Sequence, residues 1–217
     1  MKLSRLLCEK RPADSRGFTL IEIVVILAVL AILVATLSPV VLKYIADAQL
    51  NRAKGDVTQI STAINSLIQD TGQYPGDKHG VNMICGPGTL ATAGATGWAT
   101  ATSGAAAGAF CHQTGFTSTL DSISNHLIVN DPNENAVIGT GSGDYRTSGT
   151  QRWKGPYIQT LNEDPWGNAY EVHVANLKGG NTNPSWVLSA GPDGIFQTAT
   201  TDNVIAAGSD DIGIRIK

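Results

Sequence analysis

A single glutamate stands at the start of a long apolar run. Glu22 follows Arg16-Gly17-Phe18-Thr19-Leu20-Ile21, and the 20 residues from Ile23 to Leu42 include no charged one. In an α-helix such a run reaches about 30 Å, enough to cross the hydrocarbon core of a bilayer. A carboxylate at the centre of that core costs about 2.5–3.5 kcal/mol, so Glu22 either stays hydrated at the interface or has a partner. The residues around it favour a partner.

The segment before Glu22 is basic. From Met1 to Gly17 it carries five Lys or Arg residues and two acidic ones. By the positive-inside rule, such a flank keeps the N-terminus in the cytoplasm and directs the rest of the chain outward. A secretory signal has its small-residue cleavage site after the apolar core. Here Gly17 lies before the apolar run, so cleavage at Gly17 would leave the helix in the mature chain.

The residues Arg16 to Glu22 with their apolar tail resemble the N-terminus of the type IV prepilin family, which includes the pseudopilins of type II secretion. The resemblance implies that a prepilin peptidase cuts between Gly17 and Phe18 and methylates the new amine of Phe18. It also implies that Glu22 pairs with the amine of a neighbouring subunit and so fixes axial register in a filament. A paired charge is tolerated at that depth, whereas an unpaired one is costly.

One long helix positions these residues. After Lys43, the apolar residues Ala53, Val57, Ile60, Ile64 and Leu67 recur at helical spacing on an otherwise polar segment. Thr71-Gly72 ends the pattern, because glycine is common just past a helix C-terminus. We therefore predict a helix from Phe18 to Thr71. Its first half would anchor the chain in the membrane and polymerise, and its second half would brace a globular head.

The middle of the chain has a different composition. Residues from about Gly86 to Thr119 are mostly Gly, Ala, Thr and Ser, which predicts a long surface loop. A short second helix is predicted near 118–130, behind Ser118 and Thr119 as caps. Its apolar face would consist of Leu120, Ile123, Leu127 and Ile128.

Two cysteines, Cys85 and Cys111, lie on the exported side, where oxidation is available. They most simply form one disulfide that ties the loop. The alternative is a metal site with the nearby histidines His79 and His112, although no recognised zinc spacing results.

The last third of the chain has strand character. Ala169–Ala175 alternates apolar residues with Glu171 and His173, and Ser185–Ser189 and Ile212–Ile216 are two further short strand candidates. Turns are predicted at Pro165–Asn168 and Lys178–Asn181. These elements predict a small antiparallel sheet that faces the long helix.

The same region resembles the major pseudopilins of type II secretion. The matching motifs, in order, are Gly155-Pro156-Tyr157-Ile158, Asp164-Pro165-Trp166-Gly167-Asn168, Ser189-Ala190-Gly191-Pro192-Asp193-Gly194 and Asp210-Asp211-Ile212. The resemblance implies a calcium site in the last loop, with Asp193, Asp210 and Asp211 as ligands and the Ala190 carbonyl as a fourth. Carboxylates are the hard oxygen ligands that calcium prefers. The alternative is a solvated acidic turn. The stretch Ala199–Gly208 makes this loop longer than the usual pattern.

Taken together, the motifs predict an α+β, type IV pilin-like fold. A long N-terminal helix, whose first half spans the membrane, would pack on a small antiparallel β-sheet, with a large loop-rich insertion. The segments are a cleaved leader (1–17), a transmembrane and polymerisation helix (18–42), its amphipathic continuation (43–72), the insertion (73–150) and the C-terminal sheet with its calcium-type loop (151–217).

The composition and the motifs limit the classes of function that we expect. From Phe18 onward the chain carries 10 Lys and Arg against 16 Asp and Glu, a net charge of −6, and it has no basic patch interleaved with aromatic residues. Nucleic-acid binding is therefore not expected as the main role. No nucleophile elbow or phosphate loop is present, and the histidines are scattered, which predicts a protein that is not an enzyme.

The resemblance implies a structural pseudopilin in the bacterial inner membrane, with a cytoplasmic N-terminus and a periplasmic head. Its partners would be other copies in a helical filament, the prepilin peptidase, an inner-membrane assembly platform and minor pseudopilins. One alternative is a subunit of a surface type IV pilus for adhesion or motility, or a specialised minor pilin. A membrane-anchored periplasmic enzyme or binding module is the alternative from a different class.

Overall fold

The computed structural model describes residues 17–78, 80–94, 98, 120–133, 143–178 and 180–217. The chain divides into two compact units, Met1–Ala46 and Asp47–Lys217. Every described residue of the first unit is exposed. The second unit contains the buried core and both β-sheets.

A single helix, α1, runs from Leu20 to Thr71 over 52 residues and continues through Pro39. The predicted apolar stripe from Ala53 to Leu67 is buried, and Gly72 follows the helix with a φ of 66°, so both predictions are confirmed. Among the described residues, α1 is the one helix that is long and apolar enough to cross a membrane.

The main sheet has five strands, which are β1 (Met83–Cys85), β3 (Leu120–Ser122), β4 (Glu171–His173), β5 (Trp186–Ser189) and β7 (Ile212–Arg215). Their order across the sheet is β3-β1-β4-β5-β7. The β1–β3 pair is parallel and the other pairs are antiparallel, so the sheet is mixed rather than purely antiparallel as predicted. A second, two-stranded parallel sheet joins β2 (Thr92–Ala93) to β6 (Ile195–Phe196).

Both faces of the main sheet are covered. Successive residues of a strand point to opposite faces, and Val187 belongs to the cluster that contains the α1 stripe. Its neighbours Trp186 and Leu188 belong to a second cluster, together with Ala91 and Trp98. The predicted surface loop therefore supplies buried residues to the sheet face opposite α1.

The middle segment differs locally from the prediction. Leu120 lies in β3, and the second helix, α2, covers only Ile123–Leu127. Its cap is Ser122, whose hydroxyl accepts a 3.2 Å hydrogen bond from the N–H of Ser124. The predicted caps Ser118 and Thr119 lie outside the described residues.

The C-terminal strands form where predicted, but β4 is shorter than Ala169–Ala175. It ends at His173, and a 3-10 helix follows at Val174–Leu177. Glu171, predicted on the polar face of this strand, is fully buried because that face is covered.

Of the two cysteines in the predicted disulfide, only Cys85 is among the described residues. Cys85 is fully buried at the end of β1. Cys85 is disulfide-bonded, which removes its thiol from the alternative metal site. Cys111 and His112 lie outside the described residues, so Cys111 as the disulfide partner remains a prediction.

Candidate functional site

The predicted processing site lies at the start of α1. Gly17 and Phe18 precede the first helical residue, and the Phe18 side chain is 78% exposed. A Cβ atom added to Gly17 would meet no described atom within 4 Å. The packing of the described chain therefore does not require glycine at this position.

Glu22 forms a reciprocal cap with Thr19. Glu22 Oε2 accepts hydrogen bonds from the backbone N–H of Thr19 at 2.8 Å and from its hydroxyl at 2.7 Å, and Thr19 Oγ1 accepts the N–H of Glu22 at 3.3 Å. This is a capping box, which pairs backbone donors that a helix N-terminus otherwise leaves free. Our sequence reasoning missed Thr19, although the Thr-x-x-Glu spacing is the signature of this motif.

The predicted calcium loop runs from Ala190, directly after β5, to Asp211, directly before β7. Gly191 and Gly194 have φ values of 67° and 68°, a region that glycine adopts readily. The N–H of Asp193 donates to Asp210 Oδ2 at 3.1 Å. The fold therefore brings together the two ends of this loop and two of the predicted ligands.

Asp211 is the most enclosed of the three predicted aspartate ligands, with 7% of its surface exposed. Its Oδ2 accepts the backbone N–H groups of Gln197 at 3.0 Å and Thr198 at 2.7 Å. Its Oδ1 is buried and has no hydrogen-bond partner among the described residues. Burial raises the pKa of Asp211, and the carboxylate of Asp210 adds to this, whereas the hydrogen bonds from Thr198 and Gln197 lower it.

Gln197 connects the two sides of the loop, a role that the sequence analysis did not foresee. Its Nε2 donates to Asp193 Oδ2 at 2.6 Å, and its Oε1 is a second buried oxygen with no hydrogen-bond partner in the described chain. Amide and carboxylate oxygens are the donor set that calcium prefers. The residues present thus suit a calcium ion chemically.

The carboxylates alone do not form a complete site. No group of three or more His, Cys, Asp or Glu side chains converges to hold a metal within the described ranges. Backbone carbonyls and side-chain amides would therefore have to supply part of the coordination sphere, which is usual for calcium. Ala190, the predicted carbonyl ligand, is fully buried.

The Asp164–Asn168 motif holds this loop in place. Asp164 is 2% exposed, and its Oδ1 accepts the N–H groups of Trp166 at 2.9 Å and Asn168 at 2.8 Å. Its Oδ2 accepts the hydroxyl of Ser189 at 2.7 Å. Asn168 Nδ2 in turn donates to the carbonyl of Gly191 at 3.0 Å. The motif therefore fixes the end of β5 and the first turn of the loop.

A second buried polar cluster lies around α2. His126 Nε2 is 2.8 Å from Asp121 Oδ2, and His126 Nδ1 is 2.7 Å from the hydroxyl of Tyr145. His126 and Tyr145 are fully buried and Asp121 is 5% exposed. This cluster fastens α2 to the segment around Tyr145 and is closed to a substrate in solution.

Comparison with known proteins gives two family matches. Residues 13–38 match the prokaryotic N-terminal methylation motif, and residues 142–208 match protein G of the type II secretion system. The second match covers the Asp164–Asn168 motif and most of the loop between β5 and β7.

Two curated relatives are each 37% identical to parts of the chain. The type IV major fimbrial protein FimA of Dichelobacter nodosus aligns over 91 residues, 39% of this chain and 58% of the relative. The type II secretion system core protein G of Pseudomonas aeruginosa aligns over 68 residues, 31% of this chain and 48% of the relative. The chain thus spans about half the length of the curated relatives it matches. No solved structure matches the chain significantly.

Proposed function

We propose that this chain, type IV pilin-like at its N-terminus and protein G-like in its C-terminal part, is a structural subunit of a type II secretion pseudopilus. The observation that carries the proposal is the division of α1 into two chemically different halves. Apolar side chains between Leu20 and Ile45 are exposed, whereas the stripe from Ala53 to Leu67 is buried in the head. A helix that is apolar on all its faces needs lipid or other helices around it.

The same helix supports a membrane-anchored subunit that polymerises. The basic residues before Gly17 favour a cytoplasmic N-terminus and a periplasmic head at the bacterial inner membrane. The methylation-motif match supports cleavage between Gly17 and Phe18 by a prepilin peptidase. An assembly platform and minor pseudopilins are further proposed partners, and the role is structural rather than enzymatic.

A surface type IV pilus is the second candidate, favoured by the similarity to a fimbrial protein. The protein G match favours the pseudopilus, because it covers the part of the head that carries the calcium-type loop. We also propose that Asp193, Asp210 and Asp211, with the Ala190 carbonyl, bind calcium, supported by the unpartnered Oδ1 of Asp211. A disulfide between Cys85 and Cys111 is proposed for the exported head.

Deletion of the gene in its native cells tests the function. For a pseudopilin, proteins normally released to the medium should accumulate in the periplasm, while surface fibres and motility persist. Loss of surface fibres with normal secretion would contradict the pseudopilus and support the type IV pilus. Intact-mass analysis of the membrane form should give a mature chain that begins at methylated Phe18, and a Gly17→Leu variant should retain the leader.

A further inference from the structure

The insertion touches the proposed calcium loop through a defined strand pair. In the parallel sheet, Thr92 pairs with Ile195 and Ala93 with Phe196. The N–H of Thr92 also donates to the carbonyl of Gly194 at 2.9 Å. A Cβ atom on Gly94 would lie 2.9 Å from the carbonyl oxygen of Phe196, so the two backbones approach closely there. One edge of the loop is thus paired with the insertion.

Trp98 makes a second attachment to the same loop. Its ring stacks on Phe196 with centroids 4.8 Å apart, and its indole Nε1 donates to the carbonyl of Thr198 at 2.6 Å. Only 5% of Trp98 is exposed. We call Thr89–Gly94 together with Trp98 the clamp.

Thr198 connects the clamp to the buried carboxylate. It is fully buried, and its N–H donates to Asp211 Oδ2 at 2.7 Å while its carbonyl accepts from Trp98. Its hydroxyl accepts the N–H of Ala206 at 3.0 Å. A displacement of Asp211 therefore moves Thr198 or weakens the hydrogen bond between them, and a displacement of Thr198 weakens the hydrogen bond to Trp98 in the same way.

We propose that the insertion acts as a clamp on the calcium loop, and that Trp98 is a positioning residue that raises the affinity of this loop for calcium. The proposal rests on the calcium site proposed above. Trp98 and Thr92 hold the carbonyls of Thr198 and Gly194, and thereby hold the Asp211 carboxylate in one arrangement before the ion arrives. Preorganisation of this kind lowers the conformational cost of binding. Because coupling between two sites is reciprocal, calcium must also strengthen the docking of the clamp.

Calcium titration of the full chain in detergent micelles tests the proposal. Trp98→Phe keeps an aromatic ring against Phe196 but removes the donor to Thr198, and should raise the calcium Kd about fivefold. Trp153→Phe is the matched control, because Trp153 also donates its indole N–H to a carbonyl, that of His126, and lies against the other core cluster. This control should bind calcium with the wild-type Kd.

The outcomes separate the clamp from the calcium site. If the wild-type chain binds calcium and Trp98→Phe binds it with the same Kd, the clamp proposal is overturned and the calcium-site proposal is supported. No calcium binding by the wild-type chain would overturn both.

Hydrogen exchange on the wild-type chain tests the coupling between calcium binding and the clamp. It needs no substitution, so the result does not depend on whether a variant folds. Calcium should slow exchange at least about fivefold in peptides that contain Thr92 as well as in those that contain Thr198. Peptides around Tyr157, whose N–H donates to Leu127 on the α2 side of the head, should be unchanged. Protection of Thr198 without protection of Thr92 would overturn the clamp.

Discussion

Thr19 and Glu22 hydrogen-bond to each other in both directions at the first turn of α1. The carboxylate of Glu22 thus has a local partner in a single chain, before any neighbouring amine is present. Closing the helix N-terminus is thus one role of Glu22, and the predicted pairing with the amine of another subunit would be a second role of the same residue. Substitutions can separate the two roles, because the cap requires both Thr19 and Glu22, whereas the charge pairing requires only the Glu22 carboxylate.

Substitution at these two positions should distinguish the cap from the charge. Glu22→Ala should insert into the membrane, since loss of a charge favours the bilayer, but should not assemble when it is the only subunit. Thr19→Val also breaks the capping box, at a cost of about 1 kcal/mol, yet keeps the carboxylate, so filaments should still form. The measurement is electron microscopy of sheared filaments with immunoblots of membrane fractions. Equal loss of filaments in both variants would show that the cap, not the charge, governs assembly.

Removal of the Asp164 carboxylate should destabilise the head strongly. Asp164→Ala removes one acceptor from two backbone N–H groups and another from the Ser189 hydroxyl, in a site that is 2% exposed. Unsatisfied buried donors cost about 1–3 kcal/mol each, so we expect a loss of about 3 kcal/mol or more in the free energy of unfolding. The adjacent exposed Glu163→Ala should change it by less than about 0.5 kcal/mol. Denaturant unfolding of both variants in the same detergent gives the comparison, and equal stabilities would remove Asp164 from the support of the loop.

The sequence predicted those features that depend on residues close together in the chain. The burial of Ile60 and Ile64 followed from helical periodicity, and the end of α1 followed from Gly72. The burial of Glu171 did not, because strand alternation shows two faces but not whether both are covered. That face of the sheet is covered by residues such as Trp98, which are distant from Glu171 in sequence. Trp98 lies in a Gly/Ala/Thr-rich stretch, and such a composition predicts little burial.

The calcium-type loop shows the same limit. Its aspartates were visible as oxygen ligands, but Thr198 and Gln197 contact Asp211 through their backbone N–H groups, which every residue except proline carries. Residue types alone therefore do not reveal these two contacts. Thr19 was different, since its spacing from Glu22 was readable and was overlooked.

His173 should make the head less stable in mild acid. Its side chain is half-buried on β4, its Nδ1 has no hydrogen-bond partner among the described residues, and burial lowers its pKa. As the pH falls, the unfolded chain takes up a proton at about pH 6.5, before the folded chain does. Stability is therefore lost between that value and the lower pKa of the folded state. Chemical denaturation at about pH 7.5 and about pH 5.5 should show a smaller loss for His173→Gln than for the wild type, and parallel losses would assign the acid sensitivity to other groups.

Calcium should stabilise the folded head through Asp211. An ion that binds only the folded state adds about 2.7 kcal/mol when it is present at a hundred times its Kd. The full chain in detergent should therefore melt at a higher temperature with calcium than with chelator. Magnesium should substitute poorly, because it keeps its waters and demands stricter octahedral geometry.

Two substitutions in the same loop test whether the calcium-dependent rise in melting temperature depends on Asp211. Asp211→Asn should erase the difference, since it removes the buried charge with little change in shape. Asp202→Asn is the matched control: Asp202 also accepts a backbone N–H in this loop, that of Ala199 at 2.9 Å, but is not a proposed ligand. It should keep the calcium response. Melting that is indifferent to calcium in the wild type would leave the segment from Ala190 to Asp211 as an acidic turn, held in place by its contacts with the rest of the head.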